Sequence, residues 1–199
     1  MRTFLLATTN PDKVREIRAL MAGADVEIVS LDSLPPMDAP EETGTTFAEN
    51  ARLKARYYAK ASGMAAIAED SGLEIDALDG APGVESARFG GARSTYPQKF
   101  AKLYDMLDAS GGRDSAARFV CALAVAEGDA IVFEARGTVE GRIAPEPRGT
   151  HGFGYDPIFF YPPEGRTLAE VSDEVKRAVS HRGAAFRAFR DWEERSEGP

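Results

Sequence analysis

The N-terminal third of the chain alternates short apolar runs with a stretch of helical periodicity. Residues 3–7 form an apolar run that predicts a buried strand. Residues 11–21 then carry apolar side chains at helical spacing, and Asn10 offers an N-cap for that helix. Residues 26–29 form a second apolar run. A strand, a helix and a second strand in this order predict a parallel β-α-β unit.

The middle of the chain predicts a second helix and a third strand. Thr46 and Glu49 form a capping-box pattern at the start of the helix, and Gly63 is a stop signal at its end. Residues 65–68 predict a buried strand that ends where the sequence becomes polar at residues 69–72. The alternation of strand and helix therefore continues beyond the first unit.

The second half adds a hairpin and further helices to this pattern. The predicted elements are a helix over 97–109, strands over 118–126 and 130–138 joined by a hairpin turn, a continuation of the sheet over 139–144, an aromatic run over 153–160, a helix capped by Ser172 and a last helix from about Arg182. Together the elements predict an α/β fold in a single domain, 1–199. Its long mixed central sheet would be shared by two α/β lobes that flank a cleft.

Composition and charge narrow the class of partner. The 199 residues are 43% hydrophobic, enough for a sizeable core, and the formal net charge is -8. An acidic chain is not expected to bind nucleic-acid backbones, but local cations or a divalent metal would still allow one small anion. The N-terminal apolar run is too short for a signal peptide or membrane span, and the single cysteine, Cys121, excludes an internal disulfide. We therefore expect a cytoplasmic protein with no membrane partner.

The loop between the first strand and the first helix carries polar side chains suited to an anion. Thr8, Thr9, Asn10 and Lys13 add hydroxyl, amide and ammonium donors to the backbone N–H groups of a helix start. The glycine-rich Walker pattern is missing from the sequence. The segment therefore predicts a phosphate-binding loop, and the alternative is an ordinary capped helix with a solvated lysine.

Acidic residues occur in two short pairs. Residues 41–42 precede the second helix, and residues 69–70 follow the predicted third strand. Two carboxylates that meet at one point would hold Mg²⁺, and one of them would serve as general base for a water molecule. We favour this function for Asp70 because it follows an apolar run, whereas Glu42 and Glu69 are interpreted as solvated surface acids. Two histidines and one cysteine make a zinc site improbable.

A segment in the second half of the chain suggests recognition of a planar ring. Phe153 and Tyr155 stand beside Gly154 and Asp156, a set that would stack a base and accept a hydrogen bond from its ring N–H. The alternative is a strand with aromatic core residues and turn glycines.

The C-terminal part adds cationic donors. Lys176, His181 and Arg182 lie near a predicted helix boundary, where they would read a purine carbonyl or reach a phosphate. The alternative is that these side chains only compensate the dipole at a helix C-terminus.

Taken in order, these segments resemble the inosine triphosphate pyrophosphatase family, the Ham1-type non-standard purine NTP pyrophosphatases. Each segment is weakly specific and the ordered set is highly specific, covering nearly the whole chain. The matching segments are T-x-N-x-x-K-x-x-E from Thr8, E-E-T-G from Glu41, F-x-E-N-A-x-x-K-A from Phe47, D-S-G-L from Asp70, G-A-P-G-V-x-S-A-R from Gly80, G-F-G-Y-D-P from Gly152 and S-H-R-G from Ser180.

The resemblance implies an activity, a cofactor and a set of site residues. Its members cleave deaminated purine triphosphates (ITP, dITP and XTP) to the monophosphate and pyrophosphate with Mg²⁺, usually as homodimers with a two-lobed mixed sheet around a nucleotide-binding cleft. By position, the resemblance implies that the triphosphate is held by Thr8, Asn10, Lys13 and Lys54. The metal would be held by Glu41 and Asp70, Asp70 would also be the general base, and Ser71 would contact the substrate. The purine base would be bound by Phe153, Gly154, Tyr155, Asp156, Lys176, His181 and Arg182.

Two other functions stay open at this stage. One is a Maf-like pyrophosphatase for pyrimidine or modified nucleotides, and the other is a nucleotide-binding module without catalysis. The carboxylates Glu41 and Asp70 argue against the second, because binding alone would not require a metal-poised acid. Thr9 is larger than the residue usual in the family, so it would crowd the phosphate loop.

Overall fold

The computed structural model describes residues 1–91 and 93–196, and it has the mixed α/β architecture that the sequence predicts. Seven strands form one sheet in the order β2-β1-β3-β4-β5-β6-β7. The strands are β1 (Arg2–Leu6), β2 (Val26–Ser30), β3 (Ala66–Ile75), β4 (Ala116–Glu127), β5 (Ala130–Ile143), β6 (Phe159–Tyr161) and β7 (Arg166–Thr167), and the α-helices of the described ranges are α1 (Pro11–Leu20), α2 (Phe47–Ser62), α3 (Tyr96–Ala109), α4 (Asp173–Val179) and α5 (His181–Ser196).

The N-terminal β-α-β unit is confirmed. β1 pairs in parallel with β2, with Arg2 opposite Val26, and also in parallel with β3, with Leu5 opposite Ala66. At the far end of the sheet β5 and β6 pair antiparallel, so the sheet is mixed. The parallel strands β2, β1 and β3 direct their carboxyl ends to one edge of the sheet, where α1 and the residues after Ala68 begin the site.

The start of α2 follows the capping pattern read from the sequence. The Thr46 side chain accepts a hydrogen bond from the Glu49 backbone N–H, and the Glu49 carboxylate accepts one from the Thr46 backbone N–H. The helix ends at Gly63, whose φ of 70° lies in the left-handed region. Local sequence signals therefore set both ends of this helix.

Removing the cap should destabilise the protein without touching the site. We expect Thr46→Ala to lower the free energy of unfolding by about 1 kcal/mol, because the Glu49 N–H loses its acceptor. Thr46→Ser keeps a hydroxyl and should retain most of that stability. Urea denaturation of the three proteins provides the measurement, and equal midpoints for Thr46→Ala and wild type would contradict the assignment of the cap.

The prediction that the third strand ends before residue 69 is wrong. β3 continues to Ile75, through Glu69, Asp70 and Gly72. Glu69 and Asp70 are both buried and have charged or amide partners, so the strand accommodates polar side chains that would otherwise interrupt it. Partnered polar residues inside a strand cannot be distinguished from a strand end by hydropathy alone.

The sheet continues over 139–144 as expected, whereas the aromatic run that follows is only partly extended. The runs 130–138 and 139–144 form one strand, β5, because the alternation of its side chains continues across Thr138. In the aromatic run 153–160 only the end is extended, since residues 156–158 form a 3-10 turn that leads into β6. The helices predicted after Ser172 and from about Arg182 are confirmed as α4 and α5.

The chain divides into two compact units, and the division falls within β3, β4 and β5. Unit 1 comprises 1–70, 121–137 and 181–199, and unit 2 comprises 71–120 and 138–180. The core of unit 1 packs α1 and α5 on the sheet around Phe4, Ile17 and Phe186. The core of unit 2 gathers Phe100, Phe159 and their neighbours. Each unit has its own buried apolar cluster, as expected for separately packed lobes.

Within the described ranges, every helix is too short or too polar to cross a lipid bilayer.

Candidate active site

The loop after β1 in unit 1 is an N-cap built from the predicted phosphate-binding residues. Asn10 Oδ1 accepts hydrogen bonds from the backbone N–H groups of Asp12 and Lys13 at 2.9 and 3.2 Å. Thr8 Oγ1 accepts from the Asn10 N–H at 3.2 Å. Thr9 is exposed, and Thr8 and Thr9 border a pocket of about 640 Å³ in this unit. The loop is thus a fixed helix start at which an anion would meet the positive end of α1.

Lys13 belongs to a buried network of charges. Its Nζ lies 3.0 Å from Glu69 Oε1, and Arg182 Nη2 donates to the same oxygen at 3.0 Å. Arg182 Nη1 donates to Glu16 Oε2 at 2.7 Å. Two cations therefore face two carboxylates in unit 1, with Arg182 and Glu69 buried and Lys13 and Glu16 partly buried. The ion pair with Glu69 fixes the direction of the Lys13 side chain.

The charges of this network determine the protonation of Glu69. Burial alone would raise the pKa of Glu69, but Arg182 and Lys13 outweigh it and hold that pKa well below its ordinary value. The Cys121 thiol donates to Glu69 Oε2 at 3.3 Å, and burial with the nearby Glu69 charge raises the thiol pKa. The interpretation of Glu69 as a solvated surface acid is therefore wrong, because it is a fully ionised, fully buried carboxylate.

Asp70 lies one residue further along β3, in a second polar group of unit 1. Its Oδ2 accepts a hydrogen bond from Asn50 Nδ2 at 3.1 Å, and its Oδ1 lies 3.4 Å from Lys54 Nζ. Lys54 also donates to Glu42 Oε1 at 2.6 Å. The predicted residues Lys54 and Asp70 are thus brought together, and Asn50 and Glu42 complete the group.

The structure distinguishes the two acids at 41 and 42. Glu42 shares the Lys54 ammonium with Asp70, whereas Glu41 is exposed and has no contact of this kind. The interpretation of Glu42 as a solvated surface acid is wrong, and the metal role assigned to Glu41 by the resemblance stays a prediction. Adjacent residues of an extended loop face different ways, which the sequence could not resolve.

The protonation balance around Asp70 suits a general base. Burial raises the pKa of the Asp70 carboxyl, the Lys54 charge opposes that rise, and Glu42 adds to it. Burial lowers the pKa of Lys54, but Asp70 and Glu42 outweigh it and the net shift is upward. Lys54 is therefore a cation, and Asp70 holds a proton more readily than an exposed aspartate does.

The carboxylates around Asp70 fit an Mg²⁺ ion that is held by few protein ligands. No group of three or more acidic, histidine or cysteine side chains suited to a metal occurs in the described part of the chain. Mg²⁺ is commonly held by one or two carboxylates, with waters and substrate phosphates completing its shell. Asp70 and Glu42 supply two carboxylates against the single charge of Lys54, so this group carries a net negative charge that a cation would neutralise.

The predicted base-binding residues that fall in unit 2 form a compact group. Asp156 Oδ2 accepts from the Phe153 backbone N–H at 2.8 Å and from Lys176 Nζ at 2.6 Å. Lys176 Nζ lies 4.6 Å from the centroid of the Phe153 ring. Asp156 and Lys176 are both buried, so the ion pair fixes a half-exposed aromatic ring beside a cation.

Glycine at 152 is required by the close approach of this carboxylate. Gly152 has a φ of 70°, and a Cβ there would lie 2.1 Å from Asp156 Oδ2 and 3.1 Å from Lys176 Nζ.

The Tyr155 hydroxyl donates to the Ser86 carbonyl at 2.8 Å, and burial raises the Tyr155 pKa. Tyr155 therefore holds the loop from the inside, whereas the Phe153 ring stays half-exposed.

The remaining predicted residues lie in separate surroundings. Ser71 follows Asp70 on β3 and is half-buried, and Gly154 has a φ of 70°. His181 is buried at the start of α5, in unit 1. The Arg182 guanidinium engages Glu69 and Glu16, and the base-reading role of Arg182 stays a prediction.

Sequence reasoning missed residues whose partners are distant in the chain. Glu69 and Arg182 are separated by 113 positions, and Asn50 and Asp70 by 20. Glu16, Glu42 and Asn50 did have a signal, because each stands in one of the segments that carry the resemblance.

Unit 1 has a capped helix start and the carboxylates of Asp70 and Glu42 on one ammonium, and unit 2 has a cation held against an aromatic ring. These features are typical of an α/β protein that binds a phosphorylated ligand with a planar ring. The Ham1 family profile matches residues 4–192. The chain belongs to the Ham1 family.

Individual relatives agree with this assignment over nearly full length. The chain is 47% identical over 194 residues to the dITP/XTP pyrophosphatase of Shigella flexneri, covering 96% of this chain and 98% of the relative. It is 46% identical to the enzyme of the same description from Exiguobacterium sp., covering 92% of both. The structure of a HAM1 protein from Coxiella burnetii has a TM-score of 0.89 at 40% identity, covering 98% of this chain and 100% of that one.

Proposed function

We propose that this protein hydrolyses deaminated purine nucleoside triphosphates (ITP, dITP and XTP) to the monophosphate and pyrophosphate, and so removes them from the nucleotide pool. The observation that carries the proposal is the partly buried group of Asp70, Lys54 and Glu42, which combines a base of raised pKa with a cation for phosphate. The names of the relatives from Shigella flexneri and Exiguobacterium sp. support the substrate class.

In unit 1, cations, hydroxyl groups and a helix dipole bind the triphosphate. The start of α1 offers the positive end of its dipole, the hydroxyls of Thr8 and Thr9 lie beside it, and the ammonium groups of Lys13 and Lys54 balance phosphate charge. Asp70 accepts the proton of the water molecule that attacks the α-phosphorus, and pyrophosphate leaves. Mg²⁺ held by Asp70 and Glu42 would shield the polyphosphate charge and polarise that water.

In unit 2, the charged donor Lys176 and the ring of Phe153 receive the base. Hypoxanthine and xanthine present a 6-oxo acceptor, whereas adenine presents a 6-amino donor that would face another donor. A buried donor left without an acceptor costs about 1–3 kcal/mol, so each such contact rejects adenine roughly ten- to a hundred-fold. Guanine also has the 6-oxo group, so its rejection must act at the 2-amino position.

A panel of nucleotides tests the substrate class. With Mg²⁺ present, we expect pyrophosphate release from ITP and XTP to exceed release from ATP by roughly ten- to a hundred-fold in kcat/KM. Orthophosphate as the sole product would overturn the reaction type, and equal turnover of ATP and ITP would overturn the specificity. A preference for pyrimidine or modified nucleotides would favour the Maf-like alternative, and ITP binding without hydrolysis would favour a binding module.

Three further properties belong to the same proposal. The requirement for Mg²⁺ is tested by repeating the ITP assay with a chelator and then restoring the metal. Assembly as a homodimer and a cytoplasmic location are proposed from the resemblance and the composition, and they are tested by light scattering and by fractionation of cells.

A further inference from the structure

One buried lysine of unit 2 takes no part in the proposed chemistry. Lys99, on α3, has only 4% of its surface exposed. Its Nζ donates to the backbone carbonyls of Ser86, at 3.4 Å, and Ala87, and it lies 4.8 Å from the centroid of the Tyr96 ring. In the part of the chain that the structure describes, no carboxylate lies within ion-pair distance of this ammonium.

A buried ammonium that contacts carbonyl oxygens and an aromatic ring, with no carboxylate partner among the described residues, is an energetically costly way to hold a loop. Burial lowers the pKa of Lys99, which reflects the cost of keeping the charge away from water. A neutral, apolar residue would fill the same space at less cost unless the carbonyl contacts were needed. The contacts of Lys99 therefore indicate that its ammonium is retained to hold the carbonyl groups of Ser86 and Ala87 in place.

Ser86 connects that segment with two parts of the proposed site. Its carbonyl accepts from the Tyr155 hydroxyl at 2.8 Å as well as from Lys99. Its Oγ accepts from the Leu73 backbone N–H at 3.0 Å and donates to the Gly83 carbonyl at 2.6 Å. Leu73 lies on β3, the strand that bears Asp70, and Ser86 thus links this strand with the segment that ends in Asp156.

The packing around Ser86 leaves little freedom. A Cβ on Gly72 would lie 2.3 Å from Ser86 Oγ, so the side chain is pressed against β3. The Tyr155 ring meets the Tyr96 ring edge-on at 5.4 Å, and Tyr96 in turn lies against Lys99. Lys99 touches both supports of Tyr155, the carbonyl that accepts its hydroxyl and the ring that packs on it.

We propose that Lys99 is a positioning residue for the base loop, defined as residues 152–156. Its ammonium holds the Ser86 carbonyl where Tyr155 can donate to it, and Tyr155 sets the position of its neighbours Phe153 and Asp156. Lys99 does not touch the substrate and acts through Tyr155. This inference rests on the proposed function, because it assumes that the base loop binds a purine.

The test compares Lys99→Met with Lys102→Met, a control on the same helix whose side chain is exposed. For Lys99→Met we expect the KM for ITP to rise about ten-fold with kcat within two-fold, since the base loop is displaced while the hydrolytic group is unchanged. The inhibition constant of inorganic tripolyphosphate should stay within two-fold, because its binding uses unit 1. Lys102→Met should match wild type in both measurements.

A double-mutant cycle distinguishes a positioning role of Lys99 from a nonspecific loss of structure. Tyr155→Phe removes the hydroxyl and should raise the KM for ITP in the same direction. If Lys99 acts through Tyr155, the double variant should have a KM no higher than the worse single variant. Lys99→Gln, which retains an N–H donor for the carbonyls, should recover part of the loss.

Several outcomes would overturn the inference. These are an unchanged KM for Lys99→Met, tripolyphosphate inhibition weakened as much as ITP binding, and strictly additive effects in the double variant. ITP binding measured by calorimetry without Mg²⁺ repeats the comparison independently of turnover. A wild-type protein that binds ITP but releases no pyrophosphate from it would refute the proposed function alone, and one that binds no ITP would refute both.

Discussion

Replacing Asp70 by asparagine is expected to reduce pyrophosphate release from ITP by roughly 10²–10⁴-fold while leaving the protein folded. The amide cannot accept the proton of the attacking water, and it also removes one of two carboxylates available to Mg²⁺. The shape of the side chain is kept, so the contacts to Asn50 and Lys54 can be rearranged without a cavity. Steady-state assays of pyrophosphate, with thermal unfolding in parallel, provide the measurement.

The control for this variant is an aspartate close to the end of the same strand. Asp76 is exposed and pairs with Arg118 at 2.8 Å, so Asp76→Asn should retain wild-type turnover. Activity of Asp70→Asn within a few-fold of wild type would remove Asp70 from the mechanism. A loss shared equally by both variants would point to a structural defect instead.

Arg182→Met is expected to produce the largest loss of stability, about 3–5 kcal/mol in the free energy of unfolding near pH 7. The Arg182 side chain is buried with Glu69, and its removal leaves that carboxylate with Lys13 as its remaining ion-pair partner. A buried charge deprived of its main partner costs far more than the lost attraction in water. Urea denaturation gives the difference directly.

The effect of pH on this loss has a definite sign. The pKa of Glu69 in the folded protein lies well below its ordinary value of 4.5. A carboxyl with a depressed folded pKa contributes stability that is fully present above the unfolded pKa and is lost as pH falls through the folded one. The stability gap between wild type and Arg182→Met should therefore be largest near neutral pH and shrink as the pH falls below 4.5.

Arg118→Met supplies the matched comparison. Arg118 also has several acidic partners, Asp76 and Glu140 among them, but its side chain is 26% exposed. Surface pairs of this kind contribute about 0–1 kcal/mol. If both arginine variants lost the same stability, burial of the Glu69 network would not be the cause. Arg182→Met combined with Glu69→Gln should recover part of the loss, because the fully buried Glu69 carboxylate is then no longer left without Arg182.

Elements set by local signals were predictable from the sequence. The Asn10 cap, the Thr46 capping box and the turn between β4 and β5 each depend on residues within a few positions. The helix and strand boundaries at these points agree closely with the predicted ones, because the backbone N–H and C=O groups there are hydrogen-bonded to residues nearby in the chain. The parallel pairing of β1 and β2 follows from the same local order.

The charged interior was not predictable in the same way. Glu69 looks like a surface acid until Arg182, 113 positions away, is placed against it. The extension of β3 through Asp70 follows from such partners, because each buried polar group needs one. The sequence identifies which residue types can pair, but only the folded chain shows which of them do.

The sequence alone could not show which of Glu41 and Glu42 has a partner in the folded protein. Both residues have the same chemistry, and one position in an extended segment reverses the direction of the side chain. The partner of Glu42, Lys54, is on α2, so the choice depends on how the loop enters that helix. The resemblance located the pair of acids, and the packing shows that Glu42 is the one paired with Lys54, while the metal role of Glu41 stays a prediction.

The thiol of Cys121 has a consequence for the chemical durability of the protein. It is fully buried against the Glu69 carboxylate, and its raised pKa keeps it as the neutral thiol. Oxidants and alkylating agents react with exposed thiolates, and Cys121 is the one cysteine of the chain. The folded protein therefore offers such reagents no reactive sulfhydryl, and alkylation of Cys121 should require the protein to unfold first.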